Sequence, residues 1–166
     1  MQYKCVQAAQ RLADRAKSLG KSGTTISPTE MAKLEADLGL VLPPWLRQIF
    51  TEVPLCGLEL GKQVEPADDE DDGIMTVEWA TAHDMRSESL GAYPGVAIRS
   101  LGCVNVAGRD GSGDPIFVCI HDGDDPPVYR IYHEVSDVGE EIIAGGREVE
   151  APSLSEFFDS AVIKRG

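Results

Sequence analysis

The segment from Gly111 to Glu134, GSGDPIFVCIHDGDDPPVYRIYHE, constrains the fold more than any other stretch of the chain. Asp114–Ile120 reads as a strand. Side chains alternate along a strand, so Ile116, Val118 and Ile120 share one face while Phe117 and Cys119 share the other. Both faces are apolar, which predicts a strand inside a sheet rather than at its edge. His121–Pro127 is dense in turn formers. Gly123 accommodates positive φ, the aspartates can bond to nearby backbone N–H groups, and two prolines cannot extend a ladder. The stretch to His133 that starts at Pro127 or Val128, rich in β-branched and aromatic residues, reads as the return strand. The rest of the chain is expected to cover this hairpin and extend its sheet.

Upstream, Gln2–Leu19 reads as a helix, with Val6, Ala9, Ala13, Ala16 and Leu19 at helical spacing and Leu12 widening the stripe. The stripe is alanine-rich and shallow, so weak docking is expected. Gly20–Thr25 is a linker by composition. Ser27-Pro-Thr-Glu30 has the spacing of a capping box, with Pro28 at the first helical position and Ile26 and Met31 placed as a hydrophobic staple. Met31, Leu34 and Leu38 continue as a stripe, and Gly39 is the expected residue just past the helix. Pro43 and Pro44 suit the start of another helix, with Trp45, Leu46, Ile49 and Phe50 facing the core. Pro54–Leu60 reads as a short strand in which Gly57 marks a weak point or a bulge. Glu65–Asp72 (EPADDEDD) is a charge run with a proline and is expected to be an exposed loop.

Ile74–Ser89 is expected to contain a helix with Val77, Ala80 and either His83 or Met85 turned inward. Tyr93-Pro94-Gly95 reads as a turn. Val96–Ile98 and Cys103–Ala107 read as strands, the second alternating Val104 and Val106 against Asn105. Glu134–Ile143 is expected to add an irregular strand. Ser153–Ile163 reads as a closing helix with Leu154, Phe157, Phe158 and Val162 at core spacing, and Ser153 with Glu156 forms a second capping box. Helices first, then antiparallel strands on short loops, then one C-terminal helix predict an α+β fold with a central antiparallel sheet. The expectation is one domain over residues 1–166, with the helix and linker of residues 1–25 appended to it.

Charge bears on function. A net charge of −13 repels phosphate backbones, so the sequence argues against direct nucleic-acid binding. Acidity serves solubility, and it also steers a basic partner toward the surface. The candidate partner-facing residues are Glu65, Asp68, Asp69, Glu70, Asp71 and Asp72, with Asp122, Asp124 and Asp125 of the hairpin tip. No segment approaches the ~20 apolar residues of a membrane span, and the N-terminus lacks the apolar run of a signal peptide. Cys5, Cys56, Cys103 and Cys119 lack C-x-x-C spacing and read as reduced, buried thiols, which suits the cytoplasm.

Catalytic templates do not fit. Gly111-Ser112-Gly113 is not a nucleophile elbow. Cys119 and His121 share a strand face without general-base geometry. Gly108–Gly113 has no Lys-Ser/Thr after it and precedes a strand, not a helix. HDGDD and RDGSGD bring carboxylates near glycine as calcium loops do, but without EF-hand spacing, and aspartates at hairpin ends more often cap turns. Calcium binding there stays open. His83, His121 and His133 are scattered. No catalytic residue, metal ligand or cofactor is predicted.

The order of motifs from Ile26 onward resembles the SUKH superfamily, which includes the SMI/KNR regulators of yeast and many bacterial immunity proteins. The resemblance rests on the capped helix with Glu35 and Leu38-Gly39, on Leu42-Pro43 before the Trp45–Phe50 helix, and on Cys56-Gly57-Leu58. It continues through Gly113-Asp114-Pro115, Pro127-Val128-Tyr129, His133-Glu134 and the closing Ser-Leu-x-Glu-Phe helix. Members often carry Asn-Gly where this chain has Pro54-Leu55-Cys56-Gly57, and the first helix and the acidic run look like local additions. The resemblance implies an α+β fold, no catalytic residues and a binding role, most often neutralising a toxin delivered between competing bacteria. A basic nuclease domain is the partner the acidity would suit, because an acidic inhibitor mimics its polyanionic substrate. Two other readings stand beside it: a regulatory scaffold of the SMI/KNR type that binds a cellular partner, and a hydrolase or calcium-binding module.

Overall fold

Six strands follow one another in chain order across one antiparallel sheet: β1 (Glu59–Gln63), β2 (Ile74–Trp79), β3 (Cys103–Arg109), β4 (Pro115–Cys119), β5 (Val128–Ile131) and β6 (Arg147–Ala151). The computed structural model describes residues 3–63, 66–70, 73–109, 115–132, 134 and 136–163. The helices are α1 (Lys4–Ser18), α2 (Pro28–Leu38), α3 (Pro44–Glu52), α4 (Ala82–Leu90), α5 (Gly95–Ile98), α6 (Gly139–Gly145) and α7 (Leu154–Ser160), with a 3-10 turn at Arg99–Leu101. The architecture is α+β, as expected from the sequence.

Strand β4 lies between β3 and β5, and all of its residues are buried. Its alternation divides two apolar layers. Ile116 and Val118 join the main core with α1, α2, α3, α4 and α7. Phe117 and Cys119 join a smaller cluster on the outer face with Ile98, Cys103, Ile131 and Ile142. Short elements cover that outer cluster: Ile98 comes from α5 and Ile142 from α6.

Trp79 of β2 is at the centre of the main core. Its ring stacks on Phe50 of α3 at 5.4 Å and meets Phe158 of α7 edge-on at 5.0 Å. Aromatic pairs at such distances add to the energy of area burial. Its indole N–H has no hydrogen-bond partner among the described residues.

Helix α1 corrects the expectation of weak docking. Cys5, Ala8, Ala9, Leu12 and Ala16 are fully buried. The small alanines let α1 lie close on α7, where Arg15 Nη2 donates to the carbonyls of Phe158 and Ala161 at the end of that helix. The linker after α1 is held too: Gly23 N–H donates to Pro54 O, and Thr24 pairs with Cys56.

At α2, Ser27 Oγ accepts from the Glu30 N–H at 3.1 Å, but the box is not reciprocal. The Glu30 carboxylate instead accepts from Arg86 of α4 at 2.6 Å, and Arg86 also reaches Asp37. A charge-assisted bond outcompetes the neutral backbone donor. Gly39 ends the helix at φ 68°, its N–H bonded to the carbonyls of Glu35 and Ala36. Past this corner, Glu35 accepts from the Leu42 N–H and from Arg47, while Arg47 donates to Leu42 O. The Glu35–Arg47 pair thus clips the Leu38–Pro43 corner that links α2 to α3.

Four expectations are corrected. Ile74–Trp79 is a strand, not a helix: Val77 and Trp79 are buried while Glu78 is exposed, a period of two. The helix starts only after Thr81, where Thr81 and Asp84 form a reciprocal capping box. Val96–Ile98 is helical, entered from the Tyr93–Pro94 turn, and Gly95 packs so closely on the Glu88 carbonyl that a Cβ would collide with it. Glu134–Ile143 supplies α6 rather than a strand. The early strand begins at Glu59 rather than Pro54, since Gly57 at φ 80° turns the chain first. β6 was not expected at all.

The sheet curls until its two ends meet. Lys62 of β1 donates to the Glu150 carbonyl on β6 and lies 3.1 Å from that residue's carboxylate. Val162, beyond α7, pairs with Gly61 along the edge of β1. The other edge, β6, exposes Arg147 and Glu148, and charged edges discourage edge-to-edge association.

Two predictions concern stability. Trp79→Ala lowers unfolding free energy by about 3–5 kcal/mol, while Trp79→Phe costs less than half of that because it also removes the unpartnered N–H. Urea denaturation of both variants measures the difference. At Glu35, burial raises the carboxyl pKa, but the hydrogen bonds from Arg47 and Leu42 and the Arg47 charge outweigh it, so the net shift is downward. A depressed folded-state pKa stabilises above the unfolded value and loses that contribution as pH falls. The stability advantage over Glu35→Gln is therefore full above about pH 5 and shrinks as pH falls through the carboxylate range, as acid titration of both proteins will read.

Candidate functional site

The antiparallel register sorts the candidate acids by end of the sheet. Gln63 pairs with Ile74 and Ile131 with Arg147, so the β1–β2 loop and the β5–β6 connection leave from one end. Cys103 pairs with Cys119 and Val118 with Val128, so the HDGDD tip leaves from the opposite end, with α4 and the start of α7. Asp68, Asp69 and Glu70 therefore sit at one end, and Asp122, Asp124 and Asp125 at the other. The fold does not bring the two groups together. Glu65, Asp71 and Asp72 lie outside the described residues, as does His133.

The first group is exposed over 66–70, and the Asp68 carboxylate accepts the Glu70 N–H at 2.8 Å as a local turn. The second group is mixed. Asp122 and Asp124 are exposed, but the Asp124 carbonyl accepts from Cys5 Sγ at 3.2 Å. Asp125 is half-buried, and its carboxylate accepts both the N–H and the hydroxyl of Ser155, at 2.8 and 2.6 Å. Ser155 lies in the first turn of α7, where a carboxylate also meets the positive end of the helix dipole. Ser153 Oγ accepts the Glu156 N–H beside it. The tip thus fastens the hairpin to the closing helix, a tie that no local pattern announces because the two are thirty residues apart.

Grooves elsewhere hold little chemistry. One of about 530 Å³ between α1 and α3 is lined by Gln7, Gln10, Asp14, Gln48 and Glu52. Another of about 410 Å³ contains Ser27, Cys56, Thr81 and His83. There Ser27 and Thr81 already serve as helix caps. Burial pushes the Cys56 thiol up to about 11, opposite to the shift an activated nucleophile needs. Among the described residues no three His, Cys, Asp or Glu side chains form a metal-binding group. The RDGSGD loop falls largely outside the described residues.

Several basic side chains pair with acids of the fold. Arg47 and Arg86 pair with acids of α2, Arg11 with Asp159, and Lys62 and Arg130 with Glu150, while Arg130 also reaches Glu148. No helix among the described residues is long and apolar enough to cross a membrane. No family model, curated protein or solved structure matches the chain.

The division of the tip is testable. Asp125→Ala costs about 1–3 kcal/mol of stability, because it removes two buried-side hydrogen bonds at α7. Asp122→Ala, with no such tie, changes stability by no more than about 0.5 kcal/mol. Thermal or urea unfolding of the two variants separates a structural aspartate from a surface one.

Proposed function

We propose that this chain is a non-catalytic binding protein of the SUKH type that neutralises a toxin by direct contact, the toxin being a basic domain such as a nuclease. The observation that carries the reading is the net charge of −13, set on a chain whose order of motifs resembles that superfamily. The exposed acids of the β1–β2 loop support it, since a negative surface raises the encounter rate with a basic partner. The nucleophile and phosphate-loop templates that fail in the sequence favour binding over chemistry. The partner face proposed here is the sheet end that carries Asp68, Asp69 and Glu70, in the compartment where the toxin acts, the cytoplasm.

The test uses the toxin domain encoded beside this gene. A stable complex and protection of cells that express the toxin are expected, and neither forming would overturn the reading. Association should slow as salt rises. Changing Asp68, Asp69 and Glu70 together to Asn, Asn and Gln should lower the association rate several-fold and flatten its salt dependence. An unchanged rate would remove this end of the sheet from the interface.

A further inference from the structure

Cys103 and Cys119 stand opposite each other on β3 and β4, both on the outer face of the sheet, with their Sγ atoms 2.7 Å apart. The Ile120 N–H donates to the Gly102 carbonyl at 2.9 Å. That bond flanks the cysteine pair rather than joining it. The pair is therefore a non-hydrogen-bonded one, whose Cα atoms stand about 4.5 Å apart and whose side chains are the closest in an antiparallel ladder. Disulfides span Cα separations of roughly 4.4–6.8 Å, so a bridge here needs no rearrangement of the strands. The other two thiols are placed differently. Cys5 points at the Asp124 carbonyl, and burial pushes it up to about 12. Cys56 sits in the bridge with Thr24.

We propose that Cys103 and Cys119 form a dithiol–disulfide site whose co-reactant is a small disulfide of the oxidised-glutathione class, with Cys119 attacking and Cys103 resolving. Position assigns the roles. Both cysteines lie at the end of a strand, but Cys119 is 7% exposed while Cys103 is 2% exposed. The contact with Cys103 and the Arg147 guanidinium from β6 favour a thiolate at Cys119, against its burial and the opposing charge of Asp122. Arg147 is itself steadied over the Tyr129 ring at 4.5 Å. Cys103, the more deeply buried of the two, keeps its proton until the second step.

In the first step the Cys119 thiolate attacks one sulfur of the small disulfide, forms a mixed disulfide and releases one small thiolate. In the second, Cys103 gives up its proton and attacks Cys119 Sγ, which expels the second small thiol. Two protein thiols are oxidised to one disulfide, one small disulfide is reduced to two thiols, and the two thiol protons leave with them. The bridge would staple the two middle strands of the sheet.

Incubating the reduced full chain with oxidised glutathione, then alkylating under denaturing conditions, reads the outcome by intact mass and peptide mapping. The expected product has lost two hydrogens, carries two alkylated thiols at Cys5 and Cys56, and yields a linked Cys103–Cys119 peptide. Cys103→Ser is expected to trap Cys119 as the mixed disulfide with glutathione, while Cys119→Ser leaves Cys103 unmodified over the same time. Four alkylated thiols in the treated wild type, or a linkage that involves Cys5 or Cys56 instead, would overturn the site. A glutathione adduct on Cys103 in Cys119→Ser, with none on Cys119 in Cys103→Ser, would overturn the assignment of roles.

Discussion

Strand β4 offers no polar side chain to either side, so the sheet that contains it needs an apolar layer on each face. Fully burying one large aliphatic or aromatic side chain is worth roughly 1.5–3 kcal/mol, and leaving either face of β4 open would forfeit that several times over. The two layers are unequal. Five helices and the Trp79 aromatic cluster fill one side, whereas the short α5 and α6 cover Phe117 and Cys119 on the other. The irregular β2–β3 and β5–β6 connections follow from this. Each must leave the end of the sheet, lay a turn or two of helix over the outer face and return to the next strand. The register shift between Asn105 and Ala107 belongs to the same constraint. Asn105 falls on the outer face yet is buried, and its side-chain amide donates to the Ala107 and Ile116 carbonyls beside the bulge.

What could be read from the sequence was whatever carries its signal locally. Ser27 with Pro28, the Pro43–Pro44 pair and Ser153 mark helix starts through backbone chemistry confined to one turn. β4 and β5 announce themselves by two-sided and β-branched patterns around a proline-rich turn. β1 and β6 (ELGKQ and REVEA) carry no such signal, because they lie at the ends of the sheet and close on each other through Lys62 and Glu150. Ile74–Trp79 misled because Val77 and Ala80 also fit helical spacing, and only pairing with β1 and β3 settles the period. Likewise, an alanine-rich stripe reads as shallow until a partner helix is near enough to use it, as α7 is for α1.

The candidate site was legible as composition but not as geometry. Acidity can be counted, yet which carboxylates share a surface depends on strand order, which is decided by contacts far apart in the chain. Asp125 makes the point: by sequence it belongs with Asp122 and Asp124, and by structure it belongs with Ser155. Glu35 is the converse case. By sequence it is one more polar residue on the capped helix that ends at Leu38-Gly39, and in the fold it is the group that satisfies the Leu42 N–H and anchors Arg47.

The separation of the acids bears directly on how a charged partner would be recognised. β3 runs seven residues between the two ends of the sheet, a rise of roughly 20 Å. That exceeds two Debye lengths at physiological ionic strength, where the screening distance is about 8 Å. The Asp68–Glu70 end and the HDGDD end therefore act as separate fields at physiological ionic strength and merge only at low salt. A standard interface covers about 800 Å² on each partner, and a contact of that size centred on one end has little reach to the other. The end at Asp68–Glu70 can change its side chains without loss to the core, whereas the other end must keep Asp125 for α7. The partner face proposed above is therefore better placed on the first, since substitutions there leave the tie to α7 intact.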